Sequence, residues 1–258
     1  MPVLGRPGGA ISYQVTGSGQ PPLLLTHGYG ASGAMFAPNL AAASARNLVV
    51  TWDIRGHGSS ESPADADSYS AEAALGDMSA LLAELGLDRA VLGGHSLGGY
   101  LSLSFALRHP GQVAGLVLIG TGPGFRNDAA RDHWNRRAHK TAARLEERGL
   151  AALGSSSELH GQHGDVGGLA LAARHTLTQR DAHVIDGLPG IQVPALVIVG
   201  ADDAPFLAAA DYMTAKIPRA RKVVVPAAGH APNVDQPELF NAELRSFLDE
   251  VAAAGEAA

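Results

Sequence analysis

Short runs of leucine and β-branched residues recur along the chain: PPLLLTHG (21–28), NLVVTWD (47–53), AVLGG (90–94), QVAGLVLIG (112–120), PALVIVG (194–200) and KVVVPAAG (222–229). Each is apolar at nearly every position rather than every second one, the pattern of strands covered on both faces. Such strands run parallel and need crossover helices, and the stretches between them have helix length. In SAEAALGDMSALLAELGL (70–87), Leu75, Met78, Leu81, Leu82 and Leu85 fall at helical spacing, with Ser70 as N-cap and Gly86 as stop. The run from Ser96 to Arg108 ends at His109-Pro110, where proline forbids continuation, and 211–217 and 236–251 read as further helices. The alternation predicts an α/β fold with a mostly parallel, doubly wound sheet of about eight strands.

Two regions depart from this rhythm. Residues 10–16, followed by Gly17-Ser18-Gly19 and the run at 21–26, read as an antiparallel hairpin leading into the sheet, which would make it mixed. Residues 121–190 contain no convincing buried strand. They offer helical segments around 127–149 and 166–186, joined by a Gly/Ser/His-rich link at 154–168. The expected organisation is therefore one core, 1–120 with 191–258, and a helical lid inserted at 121–190 over one end of the sheet. A chain of 258 residues suits one such large domain.

The sequence contains no cysteine, which excludes disulfides, thiolate metal sites and cysteine nucleophiles. A formal net charge of −6 argues against a nucleic-acid partner, which calls for a basic face. The opening lacks a basic segment followed by an apolar run, and no stretch approaches the roughly 18 apolar residues of a membrane span. The expectation is a cytoplasmic protein, monomer or homodimer, whose partner is a small molecule and not a membrane.

Gly94-His95-Ser96-Leu97-Gly98 sits where the strand ending at 94 passes directly into a helix. A serine there occupies a sharp, strained turn that lifts its hydroxyl above the sheet. The flanking glycines remove side chains that would collide with strand and helix. The Leu97 N–H is left free at the helix start, where it faces charge developing on an attacked carbonyl. A serine hydroxyl needs an imidazole to take its proton. Of the eleven histidines, His230 follows the strand at 222–226 and so stands on the same rim as Ser96. The loop after the preceding strand supplies Asp202 and Asp203. Asp203 is the chosen orienting acid, since it leaves enough chain to turn back toward the histidine; Asp202 is the fallback.

These residues, with His27-Gly28-Tyr29-Gly30 after an early strand and Asp53-Ile54-Arg55-Gly56-His57-Gly58 after another, resemble the α/β-hydrolase superfamily over nearly the whole chain. The order nucleophile, acid, histidine is that of the superfamily. The resemblance implies that the backbone N–H groups of Tyr29 and Leu97 form an oxyanion hole, and that the turn at 53–59 braces the loops without doing chemistry. Serine at position 96, where dehalogenases and epoxide hydrolases of the superfamily carry aspartate, favours acyl transfer through an acyl-enzyme, with no metal or organic cofactor. The expected activity is hydrolysis of a small or medium carboxylic ester or lactone. Carbon–carbon bond hydrolysis, perhydrolase or lyase activity, and a small-ligand receptor retaining the triad share the same motifs.

Phe36, Phe125, Trp134 and Phe206 are candidates for an apolar substrate pocket. Residues 126–144 hold Arg126, Arg131, Arg136, Arg137, Lys140 and Arg144 against Asp128 and Asp132. This excess of positive charge suits either the solvated face of a lid helix or a substrate carboxylate or phosphate. In HGQHGD (160–165), His160, His163 and Asp165 lie close in sequence, but a glycine-rich loop lacks the rigid scaffold a metal site needs, so no metal is expected there.

Overall fold

The computed structural model describes residues 1–154 and 163–256. Eight strands form one sheet: β1 (Val3–Leu4), β2 (Ile11–Thr16), β3 (Leu23–Thr26), β4 (Val49–Trp52), β5 (Ala90–His95), β6 (Val113–Ile119), β7 (Ala195–Gly200) and β8 (Ala220–Val225). Their spatial order is β1-β2-β4-β3-β5-β6-β7-β8, and all pairings from β4 to β8 are parallel. The sheet is mixed, but not through the expected hairpin. β2 pairs antiparallel with β4 and with the two-residue β1, and does not pair with β3. The Gly-Ser-Gly segment instead carries the chain past β4, so that β3 enters the sheet beyond it.

The helices are α1 (Ala37–Ala43), α2 (Ala71–Glu84), α3 (Leu97–Arg108), α4 (Asp128–Arg148), α5 (Val166–His175), α6 (His183–Gly187), α7 (Ala204–Lys216), α8 (Pro232–Asp235) and α9 (Pro237–Glu256). Alternate strand residues explain the near-continuous apolar runs. Leu24, Val50, Leu92 and Leu116 point to a core shared with Leu75, Met78, Leu101 and Phe105 of α2 and α3, and with Met213 of α7. Leu23, Leu25, Val49 and Val91 point to the opposite core, closed by Phe240, Leu244 and Phe247 of α9. The Ser70 hydroxyl accepts the Ala73 N–H at 2.9 Å to start α2, and Gly86 ends its last turn at φ +64°.

Between β6 and β7 the described residues form helices and connecting loops, with no strand among them. α4 is capped by Asn127, whose Oδ1 accepts the Ala130 N–H at 3.0 Å. It packs Ala142 and Leu145 against Leu169, Ala170 and Ala173 of α5. The helical segment expected over 166–186 is broken: α5 stops at His175 and α6 starts at His183. Within the break, Asn135 of α4 holds both backbone groups of Gln179, accepting its N–H at 2.9 Å and donating to its carbonyl at 2.8 Å. Among the described residues, no helix is long and apolar enough to cross a membrane.

Candidate active site

Ser96 lies between β5 and α3 with φ 50° and ψ −112°, a conformation rare for a residue with a Cβ. Three hydrogen bonds hold it there. Its N–H donates to Ile119 O at 2.9 Å, while its carbonyl accepts the Thr121 hydroxyl at 2.6 Å and the Tyr100 N–H at 3.1 Å. The two glycines of the motif have separate steric reasons. A Cβ on Gly94 would strike the backbone of Gly98, and one on Gly98 would strike the carbonyl of Thr26 in β3.

His230 follows β8 and Asp203 follows β7, which are neighbouring parallel strands. Their loops therefore meet, and the His230 Nδ1–H donates to Asp203 Oδ2 at 2.8 Å. Asp203 is buried, whereas Asp202 is exposed and spends its N–H on Ala228 O. With Nδ1 engaged, the second ring nitrogen is left for chemistry. Phe206 lies against the ring at 4.8 Å between centroids and His95 at 4.7 Å. His95 Nε2–H donates to the His230 carbonyl at 3.0 Å, fixing that loop from beneath. Burial, reinforced by the nearby His230 ring, lowers the His95 pKa to about 3, so His95 stays neutral.

The Gly28–Tyr29 peptide runs beside the elbow, since a Cβ on Gly28 would stand 3.3 Å from Ser96 Cβ. Leu97 is the first residue of α3, so its N–H has no partner within the helix. The Tyr29 side chain turns away to α5, its hydroxyl donating to Leu169 O at 2.9 Å, and burial raises its pKa. The turn after β4 is a brace. The Asp53 carboxylate accepts the N–H groups of Gly33 at 2.7 Å and Ser59 at 2.8 Å, while His27 Nε2 accepts that of Ile54 at 2.9 Å.

Ser96, Leu97 and His230 open onto a cavity of about 400 Å³ whose walls include Phe125, Trp134 and Phe206. Phe36 does not belong to it, which corrects the sequence-based assignment. It is fully buried in the core shared by the helical turn before α1 and by α9, because the apolar residues of that turn pack on the sheet. Tyr100, Thr121, Arg137 and Gln179 also line the cavity and escaped sequence reasoning. Tyr100 carried a signal, being one helical turn after Ser96. Of the histidine-rich loop, His160 lies outside the described residues. His163 bonds to Gly58 N and Gly30 O at 3.1 and 2.9 Å, and Asp165 caps α5. Among the described residues, no group of three or more metal-ligating side chains is assembled.

The fold and this arrangement together define a class. The alpha/beta hydrolase family matches residues 23–243, and the chain belongs to that family and is one of its enzymes. It is 33% identical over 254 residues to a pimeloyl-[acyl-carrier protein] methyl ester esterase of Chromobacterium violaceum, covering 89% of this chain and 94% of the relative. It is 30% identical over 257 residues to a putative carbamate hydrolase, RutD, of Caulobacter sp. (strain K31), covering 90% and 91%. A malate-bound thermophilic esterase from Thermogutta terrifontis superposes with a TM-score of 0.82 at 28% identity over 94% of each chain.

Proposed function

We propose that the enzyme hydrolyses a small or medium carboxylic ester or lactone through an acyl-enzyme on Ser96. The observation that carries this reading is the buried Asp203 bonded to His230 at the rim of the cavity onto which the strained Ser96 opens. In the first half-reaction His230 Nε2 takes the Ser96 proton as Oγ bonds to the ester carbon, and Asp203 stabilises the imidazolium. The tetrahedral oxyanion accepts hydrogen bonds from the N–H groups of Tyr29 and Leu97. Collapse breaks the C–O bond to the leaving alcohol, which takes the proton from His230. Water then repeats the sequence, releasing the acid and free Ser96. The described helices and loops between residues 121 and 190 act as the lid, contributing Phe125, Trp134, Leu177 and Gln179 to the cavity wall. Relatives named as a methyl ester esterase and a putative carbamate hydrolase support acyl-oxygen or acyl-nitrogen cleavage in general.

Initial rates on p-nitrophenyl esters of increasing acyl length and on simple lactones test the reading, with Ser96→Ala alongside. Turnover that the variant loses supports it. Rates equal in both proteins, or rapid cleavage of a carbon–carbon bond in a diketone with no ester turnover, overturn it.

A further inference from the structure

Of the histidine-rich stretch 160–165, His163 links three segments of the chain. It stands just ahead of α5, and both of its ring nitrogens are spent on backbone outside the lid. Nδ1 accepts the Gly58 N–H at 3.1 Å, in the turn after β4. Nε2 therefore carries the ring hydrogen, which it donates to Gly30 O at 2.9 Å, in the turn after β3. Burial lowers the His163 pKa, which favours this neutral form.

The turn after β3 carries the Tyr29 N–H. Residues 28–31 are closed by the Ala31 N–H on Gly28 O at 3.2 Å, with Gly30 at φ +77°. From the core, His27 Nδ1–H donates to Gly28 O at 2.7 Å. Among the described residues, two hydrogen bonds tie the lid to this turn: that of His163, and that of the Tyr29 hydroxyl with Leu169 O at 2.9 Å. The His57 ring packs against both, 5.4 Å from the Tyr29 ring and 5.9 Å from that of His163. The first turn of α5 also abuts the loop after β4, since a Cβ on Gly56 would stand 2.5 Å from Gly168 O. The direction of the Tyr29 N–H follows from how this turn is held, and a hydrogen bond weakens steeply once its donor and acceptor lose alignment.

We infer that His163 is a positioning residue of the oxyanion hole: it holds the turn at 28–31 from the lid side, so that the Tyr29 N–H faces the oxyanion, without itself touching substrate. This rests on the ester reading above and on the role given there to Tyr29. The lid thereby bears on the chemical step as well as on the cavity wall. Loss of the His163 side chain is felt where charge develops on the carbonyl oxygen, so it lowers kcat and leaves KM nearly in place.

Two readouts test this: kcat and KM on the best p-nitrophenyl ester, and the Kd of trifluoromethyl hexyl ketone followed by fluorine NMR. The ketone imitates the first half-reaction. Ser96 Oγ bonds to its carbonyl carbon, the π pair of the C=O moves onto the oxygen that enters the hole, and the serine proton passes to His230. His163→Leu is expected to lower kcat about tenfold with KM within about twofold, and to raise the Kd of the ketone about tenfold. His163→Gln, whose amide offers one acceptor and one donor, is expected to restore both to within about threefold of the parent. Asn127→Ala removes the α4 cap and loosens the lid elsewhere, and should leave both within about twofold. An unchanged kcat, a loss confined to KM, a Kd that stays in place, or an equal effect of Asn127→Ala overturns the inference. Should His163→Leu not fold, His163→Asn, whose shorter arm cannot span both partners, decides on the same readouts: a lower kcat with a matching rise in Kd upholds the role, and parent values remove it. If no ester is cleaved, the ester reading fails separately and the ketone decides alone. Weaker binding to His163→Leu upholds the positioning role, and equal binding, or none to the parent, removes it.

Discussion

His27 gives the fold an acid-sensitive point whose size follows from its surroundings. The ring is fully buried, with Nε2 accepting the Ile54 N–H at 2.9 Å and Nδ1–H donating to Gly28 O at 2.7 Å. A second proton would oppose the Ile54 N–H and place a charge in the core, and burial lowers the pKa from 6.5 to about 4. In the unfolded chain the same ring titrates near its ordinary value, so between these two pH values the unfolded state binds the extra proton and the folded state does not. Folding free energy is then lost as pH falls from about 6.5 toward about 4, at up to about 1.4 kcal/mol per pH unit and roughly 3 kcal/mol in all. His27→Gln keeps an acceptor for Ile54 and removes the titration. Urea unfolding followed by circular dichroism, at a series of pH values from about 7 to about 5, is expected to show the variant gaining about 2 kcal/mol relative to the parent over that interval. Other titrating groups are common to both proteins and cancel in the difference. Parallel stability curves would refute the reasoning.

The choice between the two neighbouring aspartates predicts an unequal pair of variants. Asp203→Asn presents an amide to His230 Nδ1 and disfavours the tautomer that accepts the Ser96 proton, so kcat on the best ester is expected to fall about 10³- to 10⁴-fold; Asp202→Asn, exposed, should stay within about twofold. Steady-state kinetics checks this, and the reverse ranking would move the orienting role to Asp202. The buried Asp77 accepts from Arg55 twice at 2.7 Å and from Arg6 at 3.0 Å, and these bonds hold the Arg55 guanidinium's pKa above its ordinary value. Asp77→Ala strands a guanidinium in the core and should cost about 3–5 kcal/mol in denaturant unfolding. A loss below about 1 kcal/mol would show that the pair is screened.

The parts of this fold legible in the sequence are those in which local pattern and tertiary demand agree. Strands covered on both faces must be apolar throughout, so β3 to β7 announced themselves, as did α2 with its Ser70 cap. β2 was assigned the wrong neighbour because adjacent strands joined by a glycine-rich turn ordinarily pair, and nothing in residues 11–16 encodes the preference for β4. At the site, the glycine-flanked serine and the loops after β7 and β8 are local signals amplified by topology, since neighbouring parallel strands deliver their following loops to one rim. Gln179 and Thr121 carry no such signal. Each matters through a contact made across the fold, Gln179 with Asn135 and Thr121 with the Ser96 carbonyl. Phe36 was misread because an aromatic residue near a catalytic loop looks the same whether it faces the cavity or the core.

The most direct test of the central claim is to look for the covalent intermediate. Protein mixed briefly with p-nitrophenyl acetate and quenched in acid is expected to show one added acetyl group by intact mass, mapped by peptide fragmentation to Ser96, and to lose that mass on further incubation. Trapping should persist in Asp203→Asn at a slower rate and vanish in Ser96→Ala. An acetyl group elsewhere, or product formation through a Ser96-independent route with no adduct, would contradict the account.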